Sequence, residues 1–120
     1  MKILVVDDSK AMRMIVMRAV RQAGFEGHEM VEAENGAAAL ELIKSSGPDL
    51  VLCDWNMPEM NGIELLDALR AANNPVRFGF VTSEGSAQMR QRAEESGALF
   101  LIAKPFTPEA FREALAPVLA

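Results

Sequence analysis

Five short apolar runs, separated by longer stretches of helical spacing, leave this chain few ways to fold. Four of them, Lys2–Val6, Asp49–Cys53, Arg77–Val81 and Ala98–Ala103, are nearly continuous in hydrophobicity. That pattern suits strands covered on both faces, hence a parallel sheet with helices on each side. The fifth, His28–Ala33, mixes in Glu29 and Glu32, as an edge strand would. Between the runs, Ser9–Ala23 places Met12, Ile15, Val16, Ala19, Val20 and Ala23 on one helical face, and Gly24 is the expected stop. Ala37–Lys44 follows a capping Asn35, Ile63–Ala71 carries three leucines, and Thr107-Pro108-Glu109 opens the last helix, with Pro117 expected to end it. The stretch Ser86–Ser96 is apolar only at Ala87, Met89 and Ala93, so it is expected to move most easily. Strand and helix alternate five times. Right-handed crossovers make a doubly wound α/β sheet the simplest solution.

With 120 residues, half of them hydrophobic, and no linker or repeat, the chain reads as one domain over residues 1–120. The formal charge is -5 and the arginines are scattered, which argues against direct nucleic-acid binding. A lone cysteine, Cys53, excludes an intramolecular disulfide and suits a reducing compartment. Ile3 to Val6 is too short for a signal-peptide core, and the longest apolar run, Ala98–Ala103, is too short for a membrane span. A cytoplasmic protein is expected.

Ligands of open α/β sheets bind beyond the carboxyl ends of the strands, where the winding reverses. Asp7 and Asp8 follow the first strand and Asp54 closes the third. With strand order 2-1-3-4-5 the three carboxylates converge. Two such charges about 4 Å apart repel by roughly 4 kcal/mol at an effective dielectric near 20. The arrangement suits Mg²⁺, which takes oxygen ligands from one or two carboxylates alongside phosphate. Thr82 at the end of the fourth strand and Lys104-Pro105 after the fifth bring a hydroxyl and an ammonium to the same edge. Both suit a phosphoryl group carried by an aspartate nucleophile.

These residues, with DWNMPEMNGIELL from Asp54 to Leu66, resemble the receiver domain of two-component response regulators, and most the stand-alone chemotaxis type. The resemblance covers essentially the whole chain and implies a flavodoxin-like (βα)5 fold. It implies that Asp54 accepts a phosphoryl group from a phosphohistidine on a partner histidine kinase. Asp8, Asp54 and the backbone carbonyl of Asn56 would bind Mg²⁺ directly, with Asp7 acting largely through water. Lys104 would pair with the phosphoryl group, Thr82 would swing towards it, and the Lys104-Pro105 peptide would be cis. Asn56 and Glu84 would tune self-dephosphorylation. Family members usually carry Tyr or Phe three residues before the lysine, where this chain has Leu101. Switching is therefore expected to run through a repacking Leu101 and the Ser86–Ser96 helix. These two, with the last helix, would form the docking face for a downstream protein target.

Other residues take plainer readings. Met12, Met14 and Met17 are expected as core filling or helix surface, Cys53 as inert and Trp55 as semi-exposed packing. His28 carries no expected role. Arg13, Arg18 and Arg21 are expected to form a solvated face. An aspartyl-phosphate phosphohydrolase would need a second acid where this chain has Asn56. A phosphate sink, or the receiver part of a longer transcriptional or enzymatic regulator, stays open. The sequence ends at Ala120 without an output domain, so output is expected through another protein.

Overall fold

The computed structural model describes residues 1–83 and 85–119. Its order is β1 (Lys2–Val6), α1 (Lys10–Gln22), β2 (Glu29–Ala33), α2 (Gly36–Ser46), β3 (Leu50–Cys53), α3 (Gly62–Ala71), β4 (Arg77–Thr82), α4 (Ala87–Glu95), β5 (Phe100–Ala103) and α5 (Pro108–Leu119). All five strands are parallel, in the order β2-β1-β3-β4-β5. This is the doubly wound sheet that the five apolar runs require.

Alternation along the strands divides the core into two layers. Leu4, Val6, Val51, Cys53, Phe78 and Phe80 meet Ile43, Leu65, Leu66 and Leu69 from α2 and α3. On the other face Ile3, Val5, Leu50, Leu52 and Ile102 meet Val16 and Val20 of α1 and Phe111 and Leu115 of α5. Each large side chain buried this way contributes about 1.5–3 kcal/mol relative to exposure. The helices start where polar caps accept their first free N–H groups: Ser9 from Met12, Asn35 from Ala38, and Asn61 in a reciprocal capping box with Glu64.

Three expectations are corrected. Ile15 is 50% exposed, and Arg13 is buried rather than solvated. The buried residues of α1 are Arg13, Val16, Met17, Ala19 and Val20, so the expected face holds at Val16, Ala19 and Val20, and Arg13 and Met17 take the place expected for Ile15. Polar partners account for the difference: Arg13 is drawn inward by the Asp7 carbonyl and the Glu32 carboxylate. Pro117 lies inside α5 instead of ending it. Its missing N–H removes one helical bond, and only Val118 and Leu119 of α5 follow it.

The expectation that Ser86–Ser96 is weakly anchored holds for its apolar side. Among the described residues of α4 only Ala93 is buried. Polar groups nonetheless tie down its C-terminal end. Arg92 pairs with Asp67 of α3, Ser96 Oγ donates to Asp67 at 2.7 Å, and Arg70 donates to the carbonyls of Ser96 and Gly97.

Candidate functional site

The carboxyl ends of β1 and β3 are neighbours, with Val6 opposite Cys53. Each chain therefore leaves the sheet beside the other. Asp54 N–H donates to the Val6 carbonyl at 2.9 Å, and Asp7 N–H to the Ala33 carbonyl at 3.2 Å. The pleat ends there, and both aspartates turn over the sheet edge. One oxygen from each of Asp7, Asp8 and Asp54 lies within 4.8 Å of the others. Asp7 and Asp54 are buried, and Asp8 is exposed at the mouth.

Lys104 arrives from the end of β5. Its Nζ stands 3.5 Å from Asp7 Oδ2 and 3.7 Å from Asp54 Oδ1, with a side chain only 16% exposed. The Lys104 N–H donates to the Thr82 carbonyl at 2.7 Å, which places the lysine just beyond the last residue of β4. Lys104-Pro105 is a cis peptide. Thr82 is fully buried at the end of β4, opposite Ala103. Asn56 is exposed in the loop after Asp54. Leu101 is buried on β5, and its carbonyl accepts from Arg90 of α4 at 3.1 Å. Phe100 belongs to the opposite layer, so its ring is no substitute for an aromatic at Leu101. Glu84 lies outside the described residues.

Burial pushes the Asp54 carboxyl pKa up from its ordinary value. Lys104 pulls it down, Asp7 raises it, and the backbone N–H groups of Trp55 and Asn56 lower it. Burial, with Asp54 and Asp7 nearby, raises the Cys53 thiol well above its ordinary value, which suits an inert core residue. The donor set is all oxygen and net negative, with one ammonium beside it. Such a set fits a small hard cation and disfavours softer metals.

Gly62 shapes the loop that leaves this edge. Its N–H donates to the Trp55 carbonyl at 2.8 Å, and a Cβ there would stand 2.4 Å from the Asp54 carbonyl oxygen. Glycine at 62 is therefore required by close approach. Trp55 packs against Phe80 with ring centroids 4.8 Å apart, half-buried as expected.

Sequence reasoning missed the pair Arg13 and Glu32, which holds this site from behind. Arg13 donates from Nη1 to the Asp7 carbonyl at 2.7 Å and from Nε to Glu32 Oε1 at 2.8 Å. Its spacing from Val16, Met17 and Val20 was the available signal. Beside Lys104, Met12, Ile15, Pro105 and Phe106 line an apolar cleft of about 440 Å³.

Residues 3–116 match the family model described as the response regulator receiver domain. The chain is 40% identical to chemotaxis protein CheY1 of Helicobacter pylori strain J99, over 99% of this chain and 97% of that protein. It is 36% identical to sporulation initiation phosphotransferase F of Bacillus subtilis, over 95% of this chain and 90% of that one. Among solved structures, chemotaxis protein CheY4 of Vibrio cholerae superposes with a TM-score of 0.85 at 32% identity, covering 98% of both chains. A family match over nearly the whole chain and full-length relatives at this identity leave one conclusion: the protein belongs to the receiver-domain family of two-component response regulators, among relatives of the CheY type.

Proposed function

We propose that residues 1–120 act as a single receiver domain that takes a phosphoryl group from a histidine kinase onto Asp54, in a Mg²⁺-dependent reaction. The domain then signals to a downstream protein, with chemotaxis as the process its CheY relatives favour. The observation that carries this reading is the meeting of Asp7, Asp8 and Asp54 within 4.8 Å, with the Lys104 ammonium beside two of them.

In the transfer, an Asp54 carboxylate oxygen forms a bond to phosphorus while the phosphorus–nitrogen bond of the donor phosphohistidine breaks. The electron pair leaves with the imidazole. Asp8, Asp54 and the Asn56 carbonyl would hold Mg²⁺, with Asp7 behind a water. When bound, the ion neutralises carboxylate and phosphoryl charge. Lys104 compensates one further negative charge and orients the phosphoryl oxygens, and the Thr82 hydroxyl donates to them. Asn56 and Glu84 tune attack by water. Phosphorylation moves α4 and the Leu101 strand towards a minor conformation that binds the target better, through α4, β5 and α5. No described helix is long and apolar enough to cross a membrane, in keeping with a cytoplasmic role.

Incubation with Mg²⁺ and acetyl phosphate, followed by intact mass, tests the chemistry. A single phosphate adduct on the parent chain that disappears in Asp54→Asn is expected. An adduct that persists in that variant would overturn the assignment of Asp54.

A further inference from the structure

The Asp7-Asp8 turn is held from behind by a closed ring of contacts that crosses three elements. Asp7 N–H donates to Ala33 at the end of β2. Glu32, the preceding residue of β2, accepts from Arg13 Nε at 2.8 Å. Arg13, in the first turns of α1, donates from Nη1 back to the Asp7 carbonyl at 2.7 Å in a buried contact. The Arg13 side chain is 11% exposed and the Glu32 side chain 40%. Guanidinium geometry suits this use, because its planar fork fixes two acceptors at a set angle.

We propose that Arg13, anchored by Glu32, is a positioning residue for the Asp8 carboxylate, and so sets the affinity of the acidic pocket for Mg²⁺. The inference rests on the metal site proposed above. Its reason is covalent. The Asp7 carbonyl and the Asp8 N–H belong to one planar peptide unit, so fixing that oxygen fixes the direction in which Asp8 leaves. Asp7 is also held through its side chain, which accepts the Ser9 N–H at 2.9 Å and faces Lys104 at 3.5 Å. Asp8 is exposed at the pocket mouth, so the peptide behind it carries its orientation. Removing a group that orients a metal's ligands from behind commonly costs roughly ten- to a hundredfold in metal affinity.

Electrostatics alone predicts the opposite sign. Deleting a cation near a site for a divalent cation should tighten binding, whereas loss of positioning should weaken it. Titration of Mg²⁺ followed by Trp55 fluorescence separates the two, with thermal melts in EDTA recorded alongside. Arg13→Met is expected to raise the Mg²⁺ dissociation constant by about tenfold. Arg13→Lys should weaken binding too, because one ammonium cannot span both acceptors. Glu32→Gln should weaken it as well, but loss of a nearby anion has the same sign, so this variant is read only through its combination with Arg13→Met. Arg13→Met combined with Glu32→Gln should be no weaker than Arg13→Met alone. Unchanged or tighter Mg²⁺ binding in Arg13→Met would overturn the positioning role. A lowered melting temperature with unchanged affinity would do the same, since it leaves Arg13 a purely structural residue. If the parent chain itself bound no Mg²⁺ by calorimetry, the metal site would fall first and this inference with it.

Discussion

Asp54 is held in an environment that disfavours its charge: it is largely buried, and Asp7 faces it across the pocket. Lys104 and two backbone N–H groups offset that only in part, since the net direction of its pKa is upward. A carboxylate bound more tightly to its proton when folded contributes stability at low pH. That contribution is lost as pH rises from the ordinary carboxylate value through the raised folded one. Asp54→Asn keeps an oxygen for the N–H groups and removes the repulsion. In EDTA near neutral pH it is expected to be more stable than the parent by about 1 kcal/mol, read as a higher melting temperature. The difference should close as pH falls and the parent's Asp54 takes up its proton. A lower melting temperature for the variant at neutral pH would contradict this. Gly62 supplies a steric counterpart. Its added Cβ would meet the backbone oxygen of Asp54 at 2.4 Å and the Phe80 ring at 2.8 Å, and the backbone oxygen has little room to give. Gly62→Ala is expected to cost about 1–3 kcal/mol. The urea midpoint should drop with an unchanged slope.

Among the elements, α4 is held differently from its neighbours. Where α1 and α3 bury apolar stripes, the described part of α4 buries only Ala93 and relies on Arg92, Ser96 and the Arg70 and Asp67 side chains of α3. Exposed ion pairs of this kind are worth about 0.2–1 kcal/mol each. Its amides should therefore exchange with solvent faster than those of α1. Asp67→Ala should lower protection over residues 92–97 several-fold while leaving the sheet unchanged. Protection of α4 equal to that of α1 in the parent would refute this. The same elements show what could be read from the sequence. Strands covered on both faces are written as continuous apolar runs, and Asn35 and Thr107 mark helix starts by their chemistry, so these were legible. The Asp67–Arg92 pair joins residues 25 apart and leaves no periodic trace. In α1 the apolar spacing fixed Val16, Ala19 and Val20 inward but not which edge of that face is covered. The burial of Arg13 over Ile15 was settled by Glu32 and the Asp7 carbonyl, neither of which that helix contains.

Across the whole molecule, the acidic pocket exists only when the sheet is assembled. Its lysine and its first aspartate are 97 residues apart, and they meet because parallel strands all point their carboxyl ends to one edge. An unfolded chain has no such convergence, so a cation that fits the pocket should bind the native state almost exclusively. Linkage then makes metal binding visible as global stability, adding about 2.7 kcal/mol at a concentration 100 times the dissociation constant. Mg²⁺ is therefore expected to raise the urea midpoint of the parent in proportion to the logarithm of its concentration, without altering the slope, because the surface exposed on unfolding is the same. Chelation should reverse the rise fully. Asp8→Asn should flatten the dependence while leaving stability in EDTA equal to or above the parent's, because it removes a ligand and relieves repulsion in one substitution. A Mg²⁺ response that survived in Asp8→Asn would place the stabilising ion elsewhere on this acidic surface, since general charge screening does not depend on one carboxylate at the mouth of the sheet.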